Sequence, residues 1–189
     1  MALDTIRQLL TLDDRYVEKV EQIHSEWDGR IFAVETLDVR LSDGSYGWRE
    51  IVRHHGGAGV CAVRDDKICL VRQYRVALGR MSLEIPAGKL DPGEDPSVCA
   101  ARELEEETGL VAQSIEPLAV SAGAPGFNDE KTRIFYARGL SQGSARPDEG
   151  ELVDVVWIPI PDMVEAIKAG LIEDAKTVIS VLAVAAGIV

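Results

Sequence analysis

The chain has 189 residues, with 20 basic and 32 acidic side chains, a net charge of −12, 46% hydrophobic residues and 28% charged ones. This balance suits one domain with a small appendage and a real apolar core, and it excludes an intrinsically disordered chain. The acidic excess argues against nonspecific binding to nucleic acid or to a membrane surface, since both are anionic.

The opening MALDTIRQLL lacks the long apolar run of a signal peptide. Residues Ile31, Ala33, Leu37, Val39 and Leu41 then alternate with polar ones up to a turn at Ser42–Ser45. That pattern predicts a hairpin or two strands, too small to stand alone. A boundary at His55–Gly56 separates this β-rich segment, 1–55, from the remainder, 56–189. GGAG at 56–59 reads as the entry to a strand over 57–63, joined through a tight turn at Arg64–Asp66 to a strand over 67–74. A helix is predicted near 95–108, with Asp95 as N-cap, Pro96 in the first turn and Gly109 as the stop. QSIEPLAVSA, TRIFYAR and LVDVVWI read as further strands, the last with Trp157 in the core. Two helices follow, near 161–169 and 173–187. The apolar run VISVLAVAAGIV is about a dozen residues long, against about 20 for a membrane span, and reads as a core helix. The order of elements predicts an α+β layered domain. Cys61, Cys69 and Cys99 form no CxxC pair, so reduced thiols in a cytoplasmic protein are expected rather than disulfides or structural zinc.

Four of the five residues 103–107 are glutamates. At 100° per residue, Glu106 and Glu107 fall on either side of Glu103 within an arc of ~100°, while Glu105 points away. Three carboxylates thus gather near the C-terminal end of a helix, where the dipole is also negative and each like-charge pair costs about 0.2–0.5 kcal/mol. A solvated acidic face is the plain alternative. The preceding loop, PAGKLDPGED at 86–95, favours a ligand instead, because its Gly and Pro residues let backbone carbonyls approach a cation held by the helix. Hard oxygen donors of this kind suit Mg²⁺, with Mn²⁺ as a substitute.

Gly88, Glu94, Arg102, Glu103, Leu104, Glu106, Glu107, Gly109 and Leu110 occupy all nine defined positions of a 23-residue pattern that resembles the Nudix box. The resemblance implies an α/β/α sandwich around a mixed sheet, with a small N-terminal β-domain, and hydrolysis of a nucleoside diphosphate linked to another moiety. It assigns metal binding to Glu103, Glu106 and Glu107 and to the Ala87 carbonyl. Arg102 and Glu94 match residues that hold the box together, and Gly88 and Gly109 serve the backbone.

RQYR at 72–75, EIPAGK at 84–89 and a proline, Pro125, 15 residues beyond the box are similar to the ADP-ribose pyrophosphatase branch of that family. Dimerisation through residues 1–55 follows from the same resemblance, as does a product pair of AMP and ribose 5-phosphate. GDP-mannose or another nucleoside diphosphate sugar is the alternative substrate. From Lys67 to Leu83 the chain carries Lys67, Arg72, Arg75 and Arg80 and no acid, a positive stretch suited to phosphate. On a strand, Arg72 and Arg75 lie on opposite faces; the resemblance favours Arg75 as the phosphate contact, with Arg72 second. Glu84 joins them as a substrate-side residue. Trp48 and Glu50 fall where the branch contacts its base, and Phe127 is a second stacking candidate. The carboxylate that orients the attacking water is expected in the 146–156 segment, with Glu151 first, Glu149 second and Glu130 third. Two rival classes remain: a Nudix-fold sensor that binds ADP-ribose without cleaving it, and a hydrolase of damaged nucleoside triphosphates.

Overall fold

A computed structural model describes residues 2–146 and 152–189. The chain forms two units, one of Met1–His54 with Ala124–Asp129, the other of His55–Gly123 with Glu130–Val189.

The first unit contains helix α1 (Ala2–Leu9), a short 3-10 turn at Asp14–Tyr16, and strands β1 (Lys19–Asp28), β2 (Phe32–Arg40) and β3 (Tyr46–His54). The strands pair antiparallel in the order β1-β2-β3. The segment is therefore a three-stranded meander rather than a hairpin or two strands. The missing strand, β1, is KVEQIHSEWD, whose charged and polar residues dilute the alternation. The expected turn joins β2 to β3: Asp43 accepts from the Ser45 backbone N–H at 2.8 Å, and Gly44 adopts φ +84°. Only Leu37 and Val39 of this sheet are buried, and Val20, Ile23, Trp27, Tyr46 and Trp48 are exposed. Residues 124–129 attach to β3, where the Val52 N–H donates to the Phe127 carbonyl at 2.7 Å and the His54 N–H to Asp129 at 2.9 Å.

The second unit holds β4 (Gly57–Arg64), β5 (Lys67–Arg75), β6 (Arg80–Glu84), β7 (Ala87–Lys89), α2 (Pro96–Thr108), β8 (Leu110–Val111), β9 (Ser114–Ser121), β10 (Thr132–Arg138), β11 (Ser141–Gln142), β12 (Asp154–Pro159), α3 (Ile160–Lys168) and α4 (Ala175–Ala185). Its central sheet has seven strands with the path β12-β5-β4-β10-β9, β6 pairing with β5 and β7 with β4. β4 and β10 run parallel and the other pairings are antiparallel, so the sheet is mixed.

Period-two alternation sends successive residues to opposite faces. Ala58, Val60 and Ala62 of β4, Cys69 of β5, and Phe135 and Ala137 of β10 pack with Cys99, Ala100 and Leu104 of α2. Cys61, Ile68, Leu70 and Ile134 of the same strands pack on the other side with Met163 of α3 and Val181 of α4. Two cores on two faces of one sheet make the α/β/α sandwich. Trp157 is only half-buried, at the border of the first core, with the Arg64 guanidinium 4.6 Å over its ring.

β4 opens at Gly57, as expected of a strand entry, and part of the 86–95 segment is strand rather than loop: Ala87–Lys89 pairs with Gly57–Gly59. Glycine is needed there, since a Cβ on Gly57 would lie 2.9 Å from the Gly88 carbonyl oxygen. The three thiols are buried, and burial pushes each up to about 12, so they stay protonated. No helix among the described residues is long and apolar enough to cross a membrane.

Candidate active site

α2 is bounded as its sequence requires. Asp95 adopts φ −70°, ψ 131° and accepts from the Ser97 N–H at 2.8 Å, Pro96 occupies the first turn, and Gly109 closes the helix at φ +70° with its N–H on the Glu105 carbonyl. Cys99, Ala100, Leu104 and Thr108 anchor one face in the core. That anchoring fixes where the glutamates go. Glu107 is buried at 5% exposure, Glu103 and Glu106 are half-buried, and Glu105 faces solvent.

Arg102 ties the cluster together. Its Nη1 donates to Glu103 Oε1 at 2.8 Å and to Glu106 Oε2 at 2.9 Å; its Nε and Nη2 donate to Glu94 at 3.0 and 3.2 Å. Those carboxylates hold the Arg102 guanidinium well above its usual range, Glu94 first. Glu94 also accepts from the Asp91 N–H at 3.0 Å, which closes the loop ahead of the helix, and Arg102 pulls its carboxyl below the usual range. The Ala87 N–H donates to Glu107 Oε2 at 3.1 Å, which fixes the start of β7 to the helix. A Cβ on Gly88 would fall 1.9 Å from Glu103 Oε1, so the carboxylate fills the space that a larger residue at 88 would take.

Among the described residues, no three carboxylate, imidazole or thiol groups converge as a ready-made ligand set. Arg102 stands between Glu103 and Glu106 as the local cation. The chemistry of the donors still fits a hard divalent ion: Glu103, Glu106 and Glu107 offer carboxylate oxygens, Glu107 sits on the Ala87 N–H, and Gly88 leaves room for Glu103.

Next to this cluster is a second ionic group. Arg75, at the end of β5, grips Glu84 with Nε and Nη2, both at 2.7 Å. Glu84 is only 4% exposed. Burial alone would raise its carboxyl, but Arg75 and Lys176 together bring it down to about 2. Lys176, in the first turn of α4, donates to Glu84 Oε2 at 2.6 Å and to Asp174 at 2.8 Å. Glu84 ends β6 three residues before Ala87, whose N–H is bonded to Glu107 of the acidic helix. Nothing in the local sequence of Glu84 points to Lys176, 92 residues away.

The remaining expected residues are dispersed. Arg72 does not join Arg75; it pairs with Asp154 of β12 at 2.9 Å and is half-exposed. Trp48 and Glu50 share an exposed face of β3, and Phe127 is exposed on the 124–129 segment. All three belong to the first unit, whereas the acidic cluster belongs to the second. Glu130 is half-buried. Glu149 and Glu151 lie outside the described residues.

A mixed-sheet sandwich that carries an acidic helix under a glycine-bearing strand sets hard oxygen donors beside backbone. Residues 53–179 match the NUDIX domain. Over 86% of its length the chain is 45% identical to a methanol dehydrogenase activator of Bacillus methanolicus, covering 88% of that protein. It is 39% identical to an ADP-ribose pyrophosphatase of Bacillus subtilis (strain 168), over 88% of this chain and 90% of the relative. A crystal structure of an ADP compounds hydrolase superposes with a TM-score of 0.79 at 26% identity, covering 90% of this chain and 94% of the other. The chain belongs to the Nudix family of hydrolases.

Proposed function

We propose that this hydrolase cleaves the pyrophosphate bond of ADP-ribose, giving AMP and ribose 5-phosphate, with Mg²⁺ as its cofactor and Mn²⁺ as a substitute. The observation that carries the reading is Glu107 held on the Ala87 N–H and Glu103 against Gly88, with Arg102 joining Glu103 to Glu106. The names of the relatives supply the substrate class.

Glu103, Glu106, Glu107 and the Ala87 carbonyl would hold the ion. Bound there, it would polarise a phosphoryl oxygen, lower the pKa of a water and offset the charge of the leaving phosphate. Arg75 contributes its remaining guanidinium donors to a phosphate oxygen. Arg102 and Glu94 keep the carboxylates in place. Glu151 takes the proton of the attacking water. One water adds across the P–O–P bridge, one oxygen bond to phosphorus breaks, and each product keeps one phosphate.

The exposed apolar residues of the β1–β3 sheet support a homodimer, since a three-stranded sheet with so little buried surface gains from a covering partner. The acidic charge and buried thiols suit a cytoplasmic protein acting on a small molecule rather than on nucleic acid or membrane.

A substrate panel tests the reading: ADP-ribose, GDP-mannose, UDP-glucose, NADH, diadenosine polyphosphates and 8-oxo-dGTP, each with Mg²⁺ and with EDTA. Preferred, EDTA-sensitive release of AMP from ADP-ribose is the expected result. Preference for GDP-mannose moves the substrate within the class, preference for 8-oxo-dGTP overturns it, and binding without turnover makes the protein a sensor. The 45% identity to a methanol dehydrogenase activator favours a second reading, in which the protein stimulates a dehydrogenase. Addition to an assay of that enzyme separates the two.

A further inference from the structure

We propose that Lys176 is a positioning residue for substrate binding: by sharing the Glu84 carboxylate with Arg75, it keeps the Arg75 guanidinium fixed and available to a substrate phosphate. The inference rests on the reading of Arg75 as a phosphate contact.

Glu84 is buried, and its Oε2 receives both Arg75 Nη2 at 2.7 Å and Lys176 Nζ at 2.6 Å. The Nε–Nη2 edge of Arg75 is thus committed to Glu84. The opposite edge of the guanidinium is what a phosphate can take. With Arg75 alone on Glu84, the pair would be neutral and a diphosphate would compete with Glu84 for the guanidinium. A second cation on the same oxygen divides that attraction. Lys176 is in turn held by Asp174, but Asp174 is also the N-cap of α4, where it accepts from the Thr177 N–H at 3.1 Å. The positive end of the helix offsets part of its charge. The four side chains are therefore balanced, with the helix end adding a positive bias toward an anion.

The geometry is locked from a second side. The Ile85 N–H donates to Thr177 Oγ1 at 2.8 Å, so the chain just before β7 is buttoned to α4 at two consecutive residues. Arg75, Ser82, Glu84, Asp174 and Lys176 line one cavity of about 400 Å³, wholly within the second unit. Lys176 is mostly buried in its wall, at 15% exposure. A lysine kept there only to staple α4 would affect stability. One that acts through Arg75 affects substrate affinity.

The test compares wild type, Lys176→Met, Lys176→Arg, Arg75→Gln and the Arg75→Gln/Lys176→Met pair, by KM, kcat and thermal midpoint on ADP-ribose with Mg²⁺. Lys176→Met is expected to raise KM about tenfold with kcat within about threefold, the scale of a misplaced clamp. Lys176→Arg restores KM, and in the Arg75→Gln background Lys176→Met adds nothing. An unchanged KM, a failure of arginine to restore it in a folded variant, or effects that multiply in the pair overturns the proposal. Should Lys176→Met melt below the assay temperature, Lys176→Gln keeps a hydrogen-bonding chain without the charge and is read by the same criteria. If wild type does not hydrolyse ADP-ribose, the substrate reading fails by itself. Calorimetric binding of inorganic pyrophosphate with Mg²⁺ to the same variants then decides the role of Lys176: about tenfold weaker binding by Lys176→Met supports it, and equal binding overturns it.

Discussion

Gly88 leaves room for the carboxylate of Glu103: a Cβ at position 88 would meet Glu103 Oε1 at 1.9 Å and its Cδ at 2.2 Å. The obstructing atoms are the far end of a flexible side chain, so the fold can yield cheaply while the carboxylate cannot stay where it is. Gly88→Ala is therefore expected to lower activity at least ~10-fold and weaken Mn²⁺ binding, the scale seen when the support of a metal ligand is disturbed. The thermal midpoint should move little. Steady-state kinetics beside a melting curve checks this, and full activity in the alanine variant would remove the Gly88–Glu103 contact from the account.

Arg102 holds three carboxylates, Glu94, Glu103 and Glu106, and is about one-third exposed. Arg102→Met leaves those acids clustered without their cation. Hydrogen bonds to charged groups set the expected loss at about 1–3 kcal/mol in EDTA. A divalent ion can replace part of the missing charge, so Mn²⁺ should raise the midpoint of the variant more than that of wild type. Identical melts in EDTA would show that the arginine contributes nothing to the fold.

Glu84 is drawn down from 4.5 to about 2 in the folded protein. A carboxylate lowered on folding contributes stability that is fully present above about pH 4.5 and is lost as the pH falls toward 2. Glutamine at this position does not titrate. Urea unfolding across pH 4.5 to 2.5 should thus show a slope shallower by up to one proton in Glu84→Gln, about 1.4 kcal/mol per pH unit. Equal slopes in the two proteins would mean that Glu84 is not the buried anion that Arg75 and Lys176 stabilise.

Glu151 is the proposed acceptor of the proton from the attacking water. Glu151→Gln should leave folding and metal affinity intact while kcat falls at least ~10²-fold. Glu149→Gln and Glu130→Gln, made alongside, should retain most of the turnover. A wild-type rate in Glu151→Gln would pass the role to one of the other two acids.

Much of the second unit was legible because its signals are local. Asp95, Pro96 and Gly109 bound α2 in sequence as they do in space. Apolar alternation marks β4, β5 and β10, and the 100° step of a helix sets the exposed Glu105 apart from the less exposed Glu103, Glu106 and Glu107. The first unit carries weaker local signals. β1 carries too many polar residues to alternate cleanly, and α1 shows only Leu3, Ile6 and Leu9 as an apolar row, all exposed. β7 was hidden among glycine and proline, whose turn signals mask a short pairing that only its partner strand reveals.

The sequence by itself determined α2, its caps, the main strands of the second unit and the spacing of the acidic residues, because each depends on residues within a turn or a strand of one another. Tertiary structure alone decided what surrounds that cluster. It gave Arg72 to Asp154 and Arg75 to Glu84, and it brought Lys176 across 92 residues to the second of those carboxylates. It also attached residues 124–129 to β3 rather than to the sheet that flanks them in the chain. Such pairings depend on which strands become neighbours. Backbone hydrogen bonding between distant segments sets that, and no short-range periodicity encodes it.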